Sequence, residues 1–180
     1  MLRRVEEALD TIRTHDPRRY SRLRRDLKRI WVRVQPAPSQ SGCYNPALDA
    51  CELDPRHLLR ADVTPSDIAS IVVHEGTHAR LRGLGIGFAE PLRKRIEAVC
   101  RGEERAFAER LPLSAGDKIR DKLGRLDAVP EDYWDDSSTK QRYESGVDET
   151  LQYLGVPRWS LPLIKATRRL VRAIRRLRAA

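Results

Sequence analysis

The chain of 180 residues has few cysteines and aromatic side chains, and it has no long apolar segment. Its 3 cysteines, Cys43, Cys51 and Cys100, are too sparse for a disulfide-stapled secreted domain, so reduced thiols and a cytoplasmic protein are expected. Apolar runs such as residues 71–73 are far too short to cross a bilayer. The charged residues at the start of the chain also interrupt any secretory apolar core. We expect neither a transmembrane helix nor a signal peptide.

Charge is plentiful and unevenly distributed along a chain of formal net charge +9. Residues 1–33 and 156–180 are strongly basic, whereas the middle of the chain carries more acidic than basic side chains. The length supports one domain with a real core. We therefore predict a single domain over residues 1–155, followed by a basic amphipathic helix over residues 156–180 that packs on it.

Apolar periodicity and capping residues predict an α+β fold that is mostly helical and has a small mixed β-sheet packed on the helix that starts near Thr64. Strands are predicted at 29–34 and around 50–53, with a Pro-, Ser- and Gly-rich loop at 35–45. An irregular polar segment is expected at 127–142. The predicted helices span residues 1–13, 17–27, 64–83, 91–111, 115–126, 145–154 and 161–178.

The segment 74–78 carries the most informative pattern in the sequence, His-Glu-x-x-His. Two histidines four residues apart lie on one face of a helix, so the imidazoles of His74 and His78 can reach the same tetrahedral metal ion. Glu75 lies beside them and can accept a proton from water that the metal activates. Gly76, in the middle of this helix, predicts a close approach either by another helix or by a ligand.

A catalytic zinc site needs a third protein ligand, and no histidine follows His78 in the chain. A carboxylate on the next helix is therefore expected, with Glu97 favoured because 18 residues separate it from His78 and leave room for a turn. Glu104 and Glu103 remain alternatives. Glu104 can instead accept a hydrogen bond from a histidine ring as a supporting group.

The apolar stripe on this helix is expected to consist of Leu92, Ile96, Val99 and Phe107. Helical periodicity places Glu97, Cys100 and Glu104 together at the margin of that stripe. Cys100 is interpreted as a core residue.

These residues resemble the zincin metallopeptidases, and among them the gluzincins, whose pattern is His-Glu-x-x-His-x18-Glu. The resemblance covers roughly residues 42–111. It implies one zinc ion per chain held by His74, His78 and Glu97, with Glu75 as general base. It also implies that residues 42–53 supply the edge strand along which a peptide substrate lies antiparallel. The aminopeptidase motif Gly-x-Met-Glu-Asn is missing from this stretch, so exopeptidase specificity is not implied. Tyr143 and Tyr153 are candidates, by position alone, for stabilising the oxyanion.

The sequence therefore predicts a zinc-dependent metallohydrolase that cleaves peptide bonds in a peptide or protein substrate. One alternative is a non-catalytic binding protein with the same fold, recruited to a membrane or to nucleic acid by its basic ends. Another is a hydrolase of non-peptide amides, because the motif determines the attacking water and not the substrate. The arginine-rich C-terminal helix can contact anionic membranes or nucleic-acid phosphates weakly.

Overall fold

The computed structural model describes residues 1–35 and 41–167, which form a mostly helical α+β fold with one small mixed sheet, as predicted. Within these residues, no helix is both long and apolar enough to cross a lipid bilayer. The strands are β1 (Arg29–Val32), β2 (Gly42–Asn45) and β3 (Ala50–Leu53). The helices are α1 (Leu2–His15), α2 (Pro17–Asp26), α3 (Pro55–Leu58), α4 (Pro65–Gly83), α5 (Glu90–Ala108), α6 (Leu113–Asp127) and α7 (Asp136–Tyr153).

Helix α4 is the centre of the fold, and it packs against α1, α2, α5, α6 and the sheet. Its start follows from a capping box, in which Thr64 Oγ1 accepts the N–H of Asp67 and Asp67 Oδ2 accepts the N–H of Thr64. Its end at Gly83 agrees with the predicted boundary. Because neighbours cover α4 on most sides, the histidine-bearing helix is itself part of the core.

Gly76 lies where α4 meets α2. A Cβ atom at this position would come within 1.9 Å of Leu23 Cδ2. Of the two explanations that the sequence left open, close approach by a neighbouring helix is the one that the structure supplies.

The sheet has the strand order β1-β3-β2, with β1 parallel and β2 antiparallel to the central strand β3. The predicted loop at 35–45 is therefore wrong at its end, because residues 42–45 form the edge strand β2. The edge strand that the resemblance implied over residues 42–53 is present only at 42–45, since residues 50–53 form the central strand. The misleading residue is Gly42. A Cβ atom there would lie 2.5 Å from Ile71 Cγ2, so this glycine allows the strand to press against α4 rather than marking a turn.

Helix α5 packs along α4 with a face that differs from the predicted apolar stripe. Ile96 and Phe107 are buried as expected, but Leu92 and Val99 are 43% and 44% exposed. The buried face instead includes Glu97, which is 5% exposed, together with Cys100 and Glu104. The buried face differs from the predicted one because the carboxylates of Glu97 and Glu104 contact histidine side chains on α4.

The segment 127–142 is more ordered than predicted. A 3₁₀ turn covers Glu131–Trp134, and α7 begins at Asp136 rather than near residue 145. Contacts distant in sequence cause the difference, because Arg93 donates to the carbonyl of Trp134 and to Asp136 Oδ1, both at 2.6 Å. The short helix α3 was also not predicted, although Asp54 and Pro55 form a recognisable N-terminal cap.

The predicted C-terminal helix begins at Leu161 and is described as far as residue 167. Leu161 is buried, and Lys165 Nζ lies 2.5 Å from Asp148 Oδ2 on α7. Residues 168–180 of the predicted basic helix lie outside the described residues.

Candidate metal centre

Helices α4 and α5 bring together two imidazoles and one carboxylate. Nε2 of His74 and Nε2 of His78 are 3.2 Å apart, because a spacing of four residues places both rings on one face of α4 and their side chains turn towards each other. Glu97 on α5 reaches both rings, with Oε2 at 3.3 Å from Nε2 of His74 and Oε1 at 3.4 Å from Nε2 of His78. Three potential donors from two helices therefore converge on one point.

The distances within this group suit a tetrahedral metal ion. Ligand atoms that are about 2.0–2.1 Å from a tetrahedral zinc are about 3.3 Å from each other. The two ring nitrogens are 3.2 Å apart, and each lies 3.3 or 3.4 Å from a different oxygen of Glu97, so all of these separations are close to that edge length. Two imidazole nitrogens and one carboxylate oxygen are also a donor set that zinc uses in hydrolytic sites, with a fourth position left for water or substrate. The residues present therefore fit a catalytic zinc ion.

Glu104, also on α5, supports His74 from the opposite side of its ring. Its Oε1 is 2.5 Å from Nδ1 of His74, and its Oε2 accepts a hydrogen bond of 2.6 Å from Ser70 Oγ. When Nδ1 donates its proton to Glu104, Nε2 of His74 keeps its lone pair for a metal. Ser70 and Glu104 are 1% and 3% exposed, so this chain of contacts is shielded from water.

Glu75 is held by the edge of the sheet. The backbone N–H of Tyr44 on β2 donates a hydrogen bond of 2.6 Å to Glu75 Oε2. In the described part of the chain this is the one hydrogen bond of the Glu75 carboxylate, which leaves its other oxygen for a substrate or water. Strand β2 therefore orients Glu75, because the close packing of the sheet on α4 brings the Tyr44 N–H within hydrogen-bond distance of it.

The electrostatics of the site reflect a concentration of acidic groups around two rings. Burial disfavours the charged form of His74, but its contacts with Glu104 and Glu97 outweigh burial and hold its pKa well above the ordinary value. For Glu97, burial is likewise outweighed by the two histidines, so its pKa is lowered to about 2. Burial raises the pKa of the Glu75 carboxyl above its ordinary value. A divalent cation would neutralise this excess of negative charge.

Cys100 is a second potential donor from α5. Its Sγ and the nearest ring nitrogens of His74 and His78 all lie within 4.8 Å of one another. The thiol is fully buried, and burial together with nearby carboxylates raises its pKa. Glu97 is the better third donor, because its oxygens lie 3.3 and 3.4 Å from the two ring nitrogens, close to the separation of neighbouring zinc ligands.

The other acidic and tyrosine candidates lie elsewhere. Glu103 pairs with Arg19 at 2.7 Å and with Arg80 at 3.9 Å, so it joins α5 to α2 and α4. Tyr153 lies beneath the guanidinium of Arg56, it is largely exposed, and it does not line the clefts beside His74 and His78. Tyr143 does not line the clefts beside the site in the described part of the structure.

Two clefts of about 210 Å³ each meet at the centre, and both are lined by Glu75 and Glu97. The first, called the polar cleft below, has the more polar lining and opens on the His74 side, and the second has a largely apolar lining and opens on the His78 side. The first cleft includes Gly42, Arg101, Glu104, Lys122, Tyr133 and Trp134. The second includes Cys43, Tyr44, Leu81, Ile86, Phe88 and Ile96.

Sequence reasoning missed most of the residues that line these clefts. Arg101 was detectable, because it follows Glu97 by four residues on the same helical face. Trp134 was not, because the contact between Arg93 and its carbonyl, which holds it at the cleft, links residues far apart in sequence.

Comparison of the chain with protein-family models, with curated protein sequences and with solved structures finds no match.

Proposed function

We propose that this protein is a zinc-dependent hydrolase of peptide bonds with a gluzincin-like site. The observation that carries the proposal is the convergence of His74 Nε2, His78 Nε2 and the Glu97 carboxylate within 3.2–3.4 Å, next to the sheet-anchored Glu75. Each group is of a residue type that binds zinc, and the separations are close to those between neighbouring ligands of a tetrahedral zinc ion.

In the proposed hydrolysis, the zinc ion and the side chains of the protein have separate roles. Zinc, when bound, supplies a Lewis acid that lowers the pKa of water to about 7 and polarises a carbonyl. The free oxygen of Glu75 accepts the proton of the attacking water and later delivers it to the leaving amine. The N–H of Tyr44 keeps the other oxygen of Glu75 fixed during both transfers. Glu104 keeps the His74 ring oriented.

The arrangement of the clefts supports an extended peptide or protein substrate. Strand β2 is an edge strand, so its outward backbone groups, apart from the Tyr44 N–H that holds Glu75, can pair with a further strand. The apolar cleft contains Phe88, whose ring packs edge-on against His78 with 5.3 Å between centroids. An apolar side chain of the substrate fits this cleft.

We place the protein in the cytoplasm, as the sparse cysteines of the sequence suggest.

The decisive experiment combines metal analysis with peptide cleavage. Purified protein should contain about one zinc per chain, and His78→Ala should lose it. Glu75→Gln should keep the zinc and abolish cleavage of a mixed peptide library, whereas Glu109→Gln, the same change on an exposed part of the chain, should leave cleavage intact.

The alternatives give different results. A protein that holds zinc but cleaves neither peptides nor other amides would be the binding protein. Cleavage confined to non-peptide amides, lost in Glu75→Gln, would identify the other class of hydrolase. Metal-free protein of unchanged stability would contradict the zinc proposal itself.

A further inference from the structure

Arg101 is a buried cation in the wall of the polar cleft. Its side chain is 8% exposed, its guanidinium lies over the Trp134 ring at 5.1 Å, and its Nε donates to Asp127 Oδ1 at 3.1 Å. Its Nη1 is also buried, and it has no hydrogen-bond partner among residues 1–35 and 41–167. Burying a donor of a charged group without a hydrogen bond costs free energy. A bound ligand that accepts a hydrogen bond from Nη1 would remove this cost.

A second cation lines the same cleft. Lys122 on α6 is half-buried, and it forms no ion pair with the acidic groups of the described segments. Of the carboxylates in this cleft, Glu97 contacts both histidines, and Glu104 contacts His74 and Ser70. Glu75 is held by the N–H of Tyr44, and none of the three pairs with Arg101 or Lys122 in the described segments. Two cations therefore face the cleft with donors to spare.

We propose that Arg101 and Lys122 form a subsite that binds a carboxylate of the substrate on the His74 side of the metal centre. The planar guanidinium presents several donors in a fork that matches the two oxygens of a carboxylate. Trp134 holds the plane of the guanidinium in place. The identification of the ligand as a peptide rests on the proposed hydrolase function.

Such a carboxylate has two sources, which are the C-terminus of a peptide and an aspartate or glutamate side chain. Recognition of a C-terminus would make the enzyme a carboxypeptidase. Recognition of a side chain would make it an endopeptidase with a preference for acidic residues. The subsite chemistry is the same for both, and matched probes separate them.

The test measures binding instead of cleavage. We would titrate the zinc-loaded Glu75→Gln protein with N-acetyl-trialanine, with its C-terminal amide, and with N-acetyl-Ala-Glu-Ala amide, following affinity by calorimetry. One of the two probes that carry a carboxylate should bind about tenfold or more tightly than the neutral amide, as expected for a charge-assisted bidentate contact. The tighter carboxylate probe identifies the source of the carboxylate.

Variants assign the preference to the subsite. Arg101→Gln should reduce the preference to within about twofold, and Lys122→Gln should reduce it partly. Arg125→Gln removes an exposed cation from α6 outside the cleft, so it should keep the preference in full. Circular dichroism checks that each variant is folded. If Arg101→Gln unfolds, the loss of preference in Lys122→Gln tests the subsite. This second variant should fold, because the Lys122 side chain forms no ion pair with the described residues.

Equal binding of all three probes by the parent protein, or no binding of any, would overturn the subsite. So would a full preference in folded Arg101→Gln or Lys122→Gln protein. These outcomes are independent of hydrolysis. Carboxylate binding without cleavage would support the subsite and contradict the enzyme, whereas cleavage without carboxylate preference would do the reverse.

Discussion

Glu104 Oε1 lies 2.5 Å from Nδ1 of His74, on the side of the ring opposite to the nitrogen that faces Glu97. We predict that Glu104→Gln lowers zinc affinity by about 10- to 100-fold, because the ring loses the carboxylate that fixes its tautomer and orientation. Competition with a chelator measures this change.

Two further variants separate this effect from general damage. Ser70→Ala removes the hydroxyl that holds the other oxygen of Glu104, so it should weaken zinc binding less than Glu104→Gln does. Glu103→Gln changes the neighbouring carboxylate, which pairs with Arg19 rather than with a histidine. Equal zinc affinities in Glu103→Gln and Glu104→Gln would contradict the supporting role of Glu104.

The third metal donor is predicted to be Glu97 and not Cys100. Glu97→Gln should lose most of the bound zinc, whereas Cys100→Ala should bind it with affinity within about threefold of the parent, because the Glu97 carboxylate already contacts both rings at 3.3 and 3.4 Å. In the cobalt-substituted protein, we expect no charge-transfer absorption from a thiolate. A strong band of that kind, lost in Cys100→Ala, would show that the sulfur ligates the metal.

Gly76 and Leu23 should be energetically coupled across the α2–α4 contact. We expect Gly76→Ala to lower the free energy of unfolding by about 1–3 kcal/mol, because the added methyl group overlaps the buried Leu23 side chain. In a Leu23→Ala background the same substitution should be stabilising by up to about 1 kcal/mol, since alanine favours helix over glycine. Urea denaturation of the four proteins measures the coupling.

Gly102 provides the matched control for that pair. It lies within α5 in open space, so Gly102→Ala should stabilise the protein by about 1 kcal/mol in either background. If Gly76→Ala behaved like Gly102→Ala in the parent protein, the helix contact would be looser than the structure indicates.

The acid sensitivity of the fold should depend on Asp54. Burial opposes ionisation of this carboxyl, but hydrogen bonds from Arg56 and from the N–H of Gln35 outweigh it and lower the pKa from 3.8. A lowered pKa in the folded state stabilises the protein above about pH 4, and the contribution is lost as the pH falls through the folded-state pKa.

Asp54→Asn should therefore cost about 1–3 kcal/mol at neutral pH and flatten the decline of stability below pH 4. Thermal denaturation between pH 2 and pH 7 measures both effects. Asp10→Asn removes the carboxylate of an exposed ion pair with Arg13, which solvent screens, so its profile should follow that of the parent. A steep acid decline that persists unchanged in Asp54→Asn would contradict the assignment.

Much of the scaffold of the candidate site was predictable from local sequence. Thr64, Pro65 and Asp67 mark the start of α4, and the spacing of His74 and His78 places both rings on one face. The spacing to Glu97 allows α5 to turn back along α4. These predictions succeeded because capping and helical periodicity act over a few residues.

The incorrect predictions share one physical origin, which is contact between residues that lie far apart in the sequence. Gly42 was interpreted as a loop residue because its close contact with Ile71 on α4 cannot be read from neighbouring residues. The stripe of Leu92 and Val99 was assigned to the core because periodicity alone takes no account of buried carboxylates that have partners. Trp134 reaches the cleft through Arg93, which lies 41 residues earlier in the chain. All three depend on tertiary contacts.

The proposed metal ligands and the residues that line the proposed substrate clefts lie in parts of the chain that are constrained to different degrees by packing. His74, His78 and Glu97 belong to the two helices that pack most extensively, where few replacements fit. Phe88 and Trp134 come from short connections that carry less of the core. In the proposed hydrolase, variation in those connections would therefore alter substrate preference while leaving the proposed metal ligands in place, and directed evolution of selectivity should begin there.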